Sequence, residues 1–177
     1  MNLVIIGNII MFIGSVVMVL SGFCKSRKST IVLQTTQMGI MAFGTVCLGG
    51  FAGATMNCFS ALRNILSYHG KLNTVAKVIL IAISTSLALM VNNIGIIGLI
   101  PILVFIMYAL CMNAEDVVWH KVLAIVGCSL FFIHDLYIQS YTSCIFNVFT
   151  VVTNIYAVIT ILIARQKCPI ETAKAVI

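Results

Sequence analysis

The chain has 177 residues, of which 62% are hydrophobic and only 8% are charged. Soluble domains are about one-quarter charged, so this composition indicates an integral membrane protein with no separate soluble domain. The formal net charge of +6 comes from ten Lys and Arg residues. In short loops between apolar segments such residues typically determine topology, and we do not expect nucleic-acid binding.

The apolar segments predict seven membrane-spanning helices. A span needs about 20 apolar residues, and the segment 30–66 is too long for one, so Gly49 and Gly50 predict a turn between two spans. Pro101 lies inside the fifth span, where it is expected to kink or break the helix and is a candidate hinge. The predicted spans are residues 3–22, 30–48, 51–68, 74–90, 94–112, 117–134 and 141–164.

The basic residues support this count. With seven spans, loops 23–29, 69–73 and 113–116 lie on one side together with the C-terminus, and every Lys and Arg belongs to that side or to an adjacent helix end. By the positive-inside rule, the N-terminus is outside and the C-terminus is cytoplasmic. The first apolar segment lacks a basic n-region and is interpreted as a retained span.

Two stretches ninety residues apart carry the same polar spacing inside apolar spans. Positions i, i+3 and i+7 share one helix face, so each stretch predicts a polar stripe on a membrane helix. Such a stripe must face protein or water, which makes the pair a candidate solute path. The stripes consist of Asn57, Ser60 and Asn64 in span three and Asn147, Thr150 and Asn154 in span seven.

The ninety-residue offset also relates the spans to each other. It places spans one to three on spans five to seven and leaves span four as a linker. A unit of three spans ends on the opposite side of the membrane from its start, so a second unit that followed directly would be inverted. One linker helix returns the chain to the starting side, and the halves are therefore predicted to be parallel. The predicted units are a first three-helix bundle (1–68), a linker helix (69–93), a second three-helix bundle (94–166) and a cytoplasmic tail (167–177).

The asparagines are the main candidate solute contacts. The first of each pair is about 9 Å and the second about 20 Å from the outer end of its span, so they lie on either side of the membrane midplane. Gln34 and Gln37 in span two could complete a polar cavity, or could serve helix packing or an exposed turn. The alternative for the asparagines is interhelical hydrogen bonding, which contributes about 0.6 kcal/mol per bond.

Ionisable residues in the spans are few. Arg63 is expected to snorkel outward, with a gate or an anion contact as the alternative. His134 and Asp135 fall near the outer end of span six, and we expect an exposed loop pair there. Since no Asp or Glu lies deep in a predicted span, uncoupled movement of a solute is favoured over proton symport.

Catalytic and metal-binding patterns are not found in the sequence. It contains no H-E-x-x-H, no G-x-S-x-G and no phosphate-binding loop, and its seven cysteines form no C-x-x-C motif. We therefore expect no enzymatic activity, no cofactor and no metal site.

The 3+1+3 arrangement and the matching polar positions resemble the SWEET or MtN3-like (PQ-loop) transporter superfamily. Within it, the chain is most similar to the YgjV-type family of bacterial inner-membrane proteins. The residues that carry this resemblance are the basic run 25–28, the stretch 50–57 with Ser60, Arg63 and Asn64, and the run 99–101 that ends at Pro101.

The resemblance implies a multi-pass protein of the bacterial inner membrane that binds a small polar solute between two bundles, with one Asn from each. SWEET-like proteins have hinge prolines in spans one, two, five and six, and here only Pro101 matches. Glycines could supply the bending instead: Gly7, Gly14, Gly39 and Gly44.

The residues and the resemblance together predict a SWEET-like carrier that moves a neutral polar solute by uncoupled facilitated movement. The resemblance implies a sugar or a sugar-like metabolite, and a vitamin or an amino-acid-like metabolite is the alternative. Asn offers donors and acceptors without net charge, which suits hydroxyl groups better than phosphates. The alternative is a membrane scaffold or accessory protein that transports nothing. The expected partners are the solute and the lipid bilayer, and a homo-oligomer is compatible with this composition.

Overall fold

The computed structural model describes residues 2–22, 27–111 and 117–174. Within these ranges it contains seven α-helices, one 3-10 helix and no strand, which confirms the prediction of an all-α protein. The predicted loop 113–116 and most of the loop 23–29 lie outside the described residues. The helices are α1 (Leu3–Gly22), α2 (Arg27–Cys47), α3 (Phe51–Tyr68), α4 (Thr74–Met90), the 3-10 helix (Gly95–Gly98), α5 (Leu99–Cys111), α6 (Val117–Tyr137) and α7 (Tyr141–Lys174).

Several helix ends differ from the predicted spans. Helix α6 continues to Tyr137 instead of ending at His134, and α7 continues to Lys174, so the predicted tail begins as a helix. Pro101 is in the first turn of α5, directly after the 3-10 helix. Backbone N–H groups in the first turn of a helix have no intrahelical acceptor, so a proline there costs no hydrogen bond. The fifth span is therefore interrupted before Pro101, and hinge motion there stays a prediction.

The turns after α2 and α6 have the same backbone geometry ninety residues apart. Gly49 and Gln139 have positive φ angles of 79° and 60°. In each turn the following amide donates to the carbonyl five residues earlier, at 3.0 Å in the first turn and 2.8 Å in the second. This is the Schellman arrangement, which ends a helix with one left-handed residue. The turn predicted at Gly49 is confirmed, and Gln139 adopts the same conformation without being a glycine.

Six of the helices pack as a closed ring in the order α1, α2, α3, α5, α6, α7 and back to α1. Helix α4 lies outside this ring and packs on α3 and α5. We call α1–α3 the first half and α5–α7 the second half. The main junctions between the halves are α1–α7 and α3–α5.

The start of α1 and the turns at Gly49, Asn93 and Gln139 lie at one end of the ring, where polar contacts join them. The Asn8 amide donates to the Gln139 carbonyl at 2.8 Å, and the Asn93 amide donates to the Gly49 carbonyl at 2.8 Å. A side chain at Gly50 would meet Ile138 at 3.3 Å. We call this end the Asn8 end. Because α1, α3, α5 and α7 all begin near it, successive helices alternate in direction.

The outside of the protein is apolar and several polar groups are buried. Leu110 on α5, Val75 on α4 and Tyr156 on α7 are 69%, 65% and 72% exposed, whereas Ser15 and Ser84 are fully buried. Two helical segments combine the length and hydropathy of a membrane span, and three shorter ones are also apolar. The first two are Leu3–Leu20 and Tyr141–Ile163, and the shorter ones are Ile31–Cys47, Thr74–Met90 and Gly95–Leu110.

Glycines bring α1 and α2 close together. A side chain at Gly7 would lie 2.7 Å from Leu48, and one at Gly44 would lie 2.8 Å from the sulfur of Met11. Gly39, in contrast, faces open space. Small residues at an interface allow membrane helices to pack closely. Gly7 and Gly44 therefore have a packing role, whereas the sequence suggested only bending.

Candidate functional site

The polar stripe of α3 is partly paired within the protein. Asn64 is buried, with 6% exposure, and its side-chain oxygen accepts a hydrogen bond from Arg63 at 3.4 Å. Asn57 and Ser60 are half-buried, and neither side chain hydrogen-bonds to another described residue. The Arg63 guanidinium lies 5.7 Å from the ring centre of Phe105 on α5, and its Nε is buried without an acceptor in the described ranges. Arg63 therefore packs at the α3–α5 junction instead of snorkelling.

The polar stripe of α7 divides into one interhelical and two intrahelical contacts. The Asn147 amide donates to the carboxylate of Asp135 on α6 at 2.9 Å. The Asn154 amide donates to the backbone carbonyl of Thr150 at 2.8 Å, and the Thr150 hydroxyl donates to the Phe146 carbonyl at 2.8 Å. Hydrogen bonds do not join the two stripes within the described residues. The structure thus assigns different local roles to asparagines with identical spacing.

The two glutamines of α2 differ in burial. Gln37 is 4% exposed, and its amide donates to the sulfur of Met41 at 3.3 Å. Its backbone oxygen lies 3.8 Å from the position of a side chain at Gly14 of α1, so Gln37 is on the face that packs against α1. Gln34 is half-buried. Helix packing is therefore the contribution of Gln37 that the contacts support.

His134 and Asp135 are buried in the last turn of α6, with 1% and 7% exposure. The prediction of an exposed loop pair is wrong because α6 continues to Tyr137. The His134 Nδ1 and the Asp135 Oδ1 are 3.0 Å apart, and the other carboxylate oxygen accepts the Asn147 amide. A buried imidazole, carboxylate and amide are thus joined in one chain of hydrogen bonds.

The imidazole of His134 lies next to α3 of the first half. A side chain at Gly53 of α3 would lie 3.2 Å from its Cε1 and 3.4 Å from its Nε2, and 3.3 Å from the methyl group of Thr45 on α2. A larger residue at position 53 would require these neighbours to move by a few tenths of an ångström. The Nε2 is buried and has no hydrogen-bond partner in the part of the chain that the structure describes. His134 therefore fills the ring interior at the Asn8 end and faces the first half.

Asn8 fastens the α1–α7 junction beside this cluster. Its amide nitrogen donates to the Gln139 carbonyl, and its side-chain oxygen accepts the backbone N–H of Thr142 at 3.1 Å. The Thr142 hydroxyl donates to the Asn8 backbone carbonyl at 3.3 Å. Asn8 is not among the polar contacts predicted from the sequence. The signal was an amide in an otherwise apolar span, which is costly unless it finds a polar partner.

Two surface grooves lie away from the asparagines. The larger has a volume of about 740 Å³ and runs along α2 and α3 to the end of α4. The smaller, of about 190 Å³, lies between the other ends of α2 and α3. Neither is lined by Asn57, Asn64, Asn147 or Asn154. The ring interior, with its paired polar groups, is therefore the stronger candidate for a functional site.

The apolar exterior, the helical architecture and the buried polar cluster fit an all-helical membrane protein. Residues 5–164 match the profile of the Imp-YgjV family, described as bacterial inner membrane protein, and the chain belongs to this family. The match confirms the resemblance to the YgjV-type family and places the protein among bacterial inner-membrane proteins. Neither a curated protein nor a solved structure shows significant similarity to the chain.

Proposed function

We propose that this protein is a membrane carrier that passes a neutral polar solute, such as a sugar, between its two halves. Asn57 and Ser60 carry the proposal, as half-buried polar side chains three residues apart on α3 without a described hydrogen-bond partner. A polar group inside a membrane protein is costly unless it is hydrogen-bonded. A solute hydroxyl group would satisfy both, because amide and hydroxyl groups donate and accept without net charge.

The arrangement of the helices supports two related halves. The Schellman turns at Gly49 and Gln139 are ninety residues apart, and each connects the second helix of its half to the third. The main junctions between the halves are α1–α7 and α3–α5, with α4 outside the ring. This arrangement favours seven spans in parallel three-helix repeats of the SWEET type. The basic residues favour an external N-terminus. Rocking of one half against the other would then expose the interior to each side in turn.

The remaining predicted contacts contribute unequally to this proposal. Asn64 uses its oxygen for Arg63, which leaves its amide nitrogen for a solute, and Asn154 uses its nitrogen, which leaves its oxygen. Asn147 already pairs with Asp135. We therefore assign the first contact to Asn57 and Ser60, and a secondary one to Asn64 and Asn154.

A scaffold without transport is the second candidate, and one observation favours it. The Asn147–Asp135 bond joins α6 to α7, which is what interhelical hydrogen bonds do in any membrane protein. If all the asparagines acted in this way, their replacement would lower stability and have no other effect.

Solute flux into proteoliposomes separates these candidates. Purified protein is reconstituted, and uptake of a panel of radiolabelled neutral monosaccharides and disaccharides is measured against empty liposomes. We expect uptake of at least one sugar by the wild type, and at least a tenfold loss in Asn57→Ala and in Ser60→Ala with the helical content unchanged. Asn57→Ala removes the amide without touching any hydrogen bond between described residues.

The matched control is Thr153→Ala on α7. Thr153 is exposed and its hydroxyl bonds only to carbonyls of its own helix, so flux should be unchanged. The carrier proposal is refuted if the wild type moves none of the sugars, or if both α3 variants transport as fast as the control.

A further inference from the structure

We infer that His134 and Asp135 form a proton-binding site whose occupancy controls opening of the two halves at the Asn8 end. The inference rests on the proposed carrier for its physiological meaning, since it would make solute movement proton-linked. The expectation of uncoupled movement depended on the absence of Asp and Glu deep in a predicted span. Asp135 lies in the last turn of α6 and is buried inside the protein, which the sequence did not predict.

The net charge of the His134–Asp135 pair depends on how many protons it holds. Within the described residues, Asp135 has no lysine or arginine as a partner, and its ion pair is with His134 alone. If the imidazole is neutral and the carboxylate ionised, the buried pair carries one net negative charge. If a proton is added, the pair becomes an imidazolium and a carboxylate with no net charge. The pair with the added proton thus has no net charge to bury, whereas the pair without it has one.

The position of the added proton depends on which nitrogen of His134 faces the carboxylate. The Nδ1 of His134 lies 3.0 Å from Oδ1 of Asp135 and donates a hydrogen to it when the carboxylate is ionised. The added proton is then on Nε2, the atom that lies beside Gly53 of the first half. The Nε2 has no described partner and cannot exchange protons while the halves are closed. If the halves separate, water reaches this atom and the proton can leave.

The groups around the pair do not supply a positive charge that could replace the proton. Two titratable groups interact electrostatically with the Asp135 carboxylate, namely the thiol of Cys128 on α6 and the thiol of Cys144 on α7. Helix α5 contributes Tyr108, which interacts with Cys128. On the side of the first half, Gly53 of α3 lies beside the imidazole and Thr45 of α2 lies beside Gly53, and neither residue titrates. Thiols and phenols are ordinarily neutral at physiological pH, so none of these groups balances the carboxylate in place of the proton.

Closure at the Asn8 end should therefore tighten when the pair binds a proton and loosen when it loses one. Histidine ordinarily changes charge between about pH 5 and about pH 8, which sets the range to examine. The distance between the halves can be measured with spin labels in a variant without its seven native cysteines. Phe51→Cys on α3 and Tyr137→Cys on α6 are suitable label positions because both side chains are exposed at this end.

We expect the label-to-label distance, measured by pulsed electron paramagnetic resonance, to shift to longer values as the pH rises from about 5 to about 8. Asp135→Asn should abolish the shift, because the added proton then lacks its carboxylate partner. His134→Gln should also abolish it. The matched control is Ser129→Ala, an exposed α6 residue bonded to its own helix, which should keep the full shift.

The proton site is refuted if the distance does not change with pH, or if Asp135→Asn and His134→Gln retain the shift. Asp135→Asn keeps an acceptor for Asn147 and serves as the deciding variant if His134→Gln does not fold. The measurement requires no solute, so it decides the proton site separately from the carrier. Sugar flux without a pH-dependent distance would leave an uncoupled carrier, and a pH-dependent distance without sugar flux would refute the carrier alone.

Discussion

Replacement of Asn147 and of Asn154 by alanine should have different effects on stability, although both residues lie on α7 at equivalent positions of a helix face. The Asn147 amide donates to the Asp135 carboxylate of another helix at 2.9 Å. A hydrogen bond to a charged group contributes about 1.5–3 kcal/mol, so Asn147→Ala should lower the unfolding free energy by that amount. The Asn154 amide donates to a carbonyl of its own helix, and Asn154→Ala should change the unfolding free energy by less than about 0.5 kcal/mol.

The assay is unfolding of the purified protein by SDS in mixed micelles, followed by circular dichroism. A double-mutant cycle between Asn147→Ala and Asp135→Asn adds a further test. With a neutral side chain at position 135, the effect of Asn147→Ala should fall to about 0.6 kcal/mol, the average for neutral interhelical bonds. Equal losses for Asn147→Ala and Asn154→Ala, or an effect of Asn147→Ala that is independent of Asp135, would refute this reasoning.

Three further predictions concern packing, charge and topology. Gly44→Val should lower the unfolding free energy by about 1–3 kcal/mol because the new side chain would collide with α1. Gly39→Val should have little effect because position 39 faces open space. Unfolding by SDS compares the two variants. Arg63→Met should leave the unfolding free energy unchanged or higher, because a buried guanidinium with an unpaired Nε is removed, and a loss above about 3 kcal/mol would contradict this. In a cysteine-free background, Tyr137→Cys should react with an impermeant maleimide in intact spheroplasts and Tyr68→Cys only after lysis; the opposite pattern contradicts an external N-terminus.

Most of the helices could be predicted because their limits depend on local chemistry. Apolar length defines a span, and Gly49 supplies the positive φ that ends α2. Pro101 indicates the interruption before α5, since only a first turn accepts it without losing a bond. The end of α6 was harder to predict because the residue with positive φ there is Gln139, and glutamine, unlike glycine, does not indicate a turn.

The cluster around His134 was missed for that reason. Predicted span six ended at His134, which left Asp135 in a loop. The ninety-residue offset, applied to the end of span two at Leu48, extends span six to Ile138 and places both residues inside a helix. The hydrogen-bond partners of the asparagines could not be predicted. Their spacing specifies a helix face, but it does not show which neighbouring helix places a carboxylate beside that face.

The α1–α7 junction joins α1 to a segment that lies 131 residues later in the chain. Until residues 139–142 have been synthesised, Asn8 lacks its contacts with Gln139 and Thr142. During synthesis α1 therefore packs on α2 before α7 is available, through the close approach at Gly7 and Gly44. Ring closure requires α7, and a chain truncated before residue 139 would leave Asn8 without its contacts to Gln139 and Thr142.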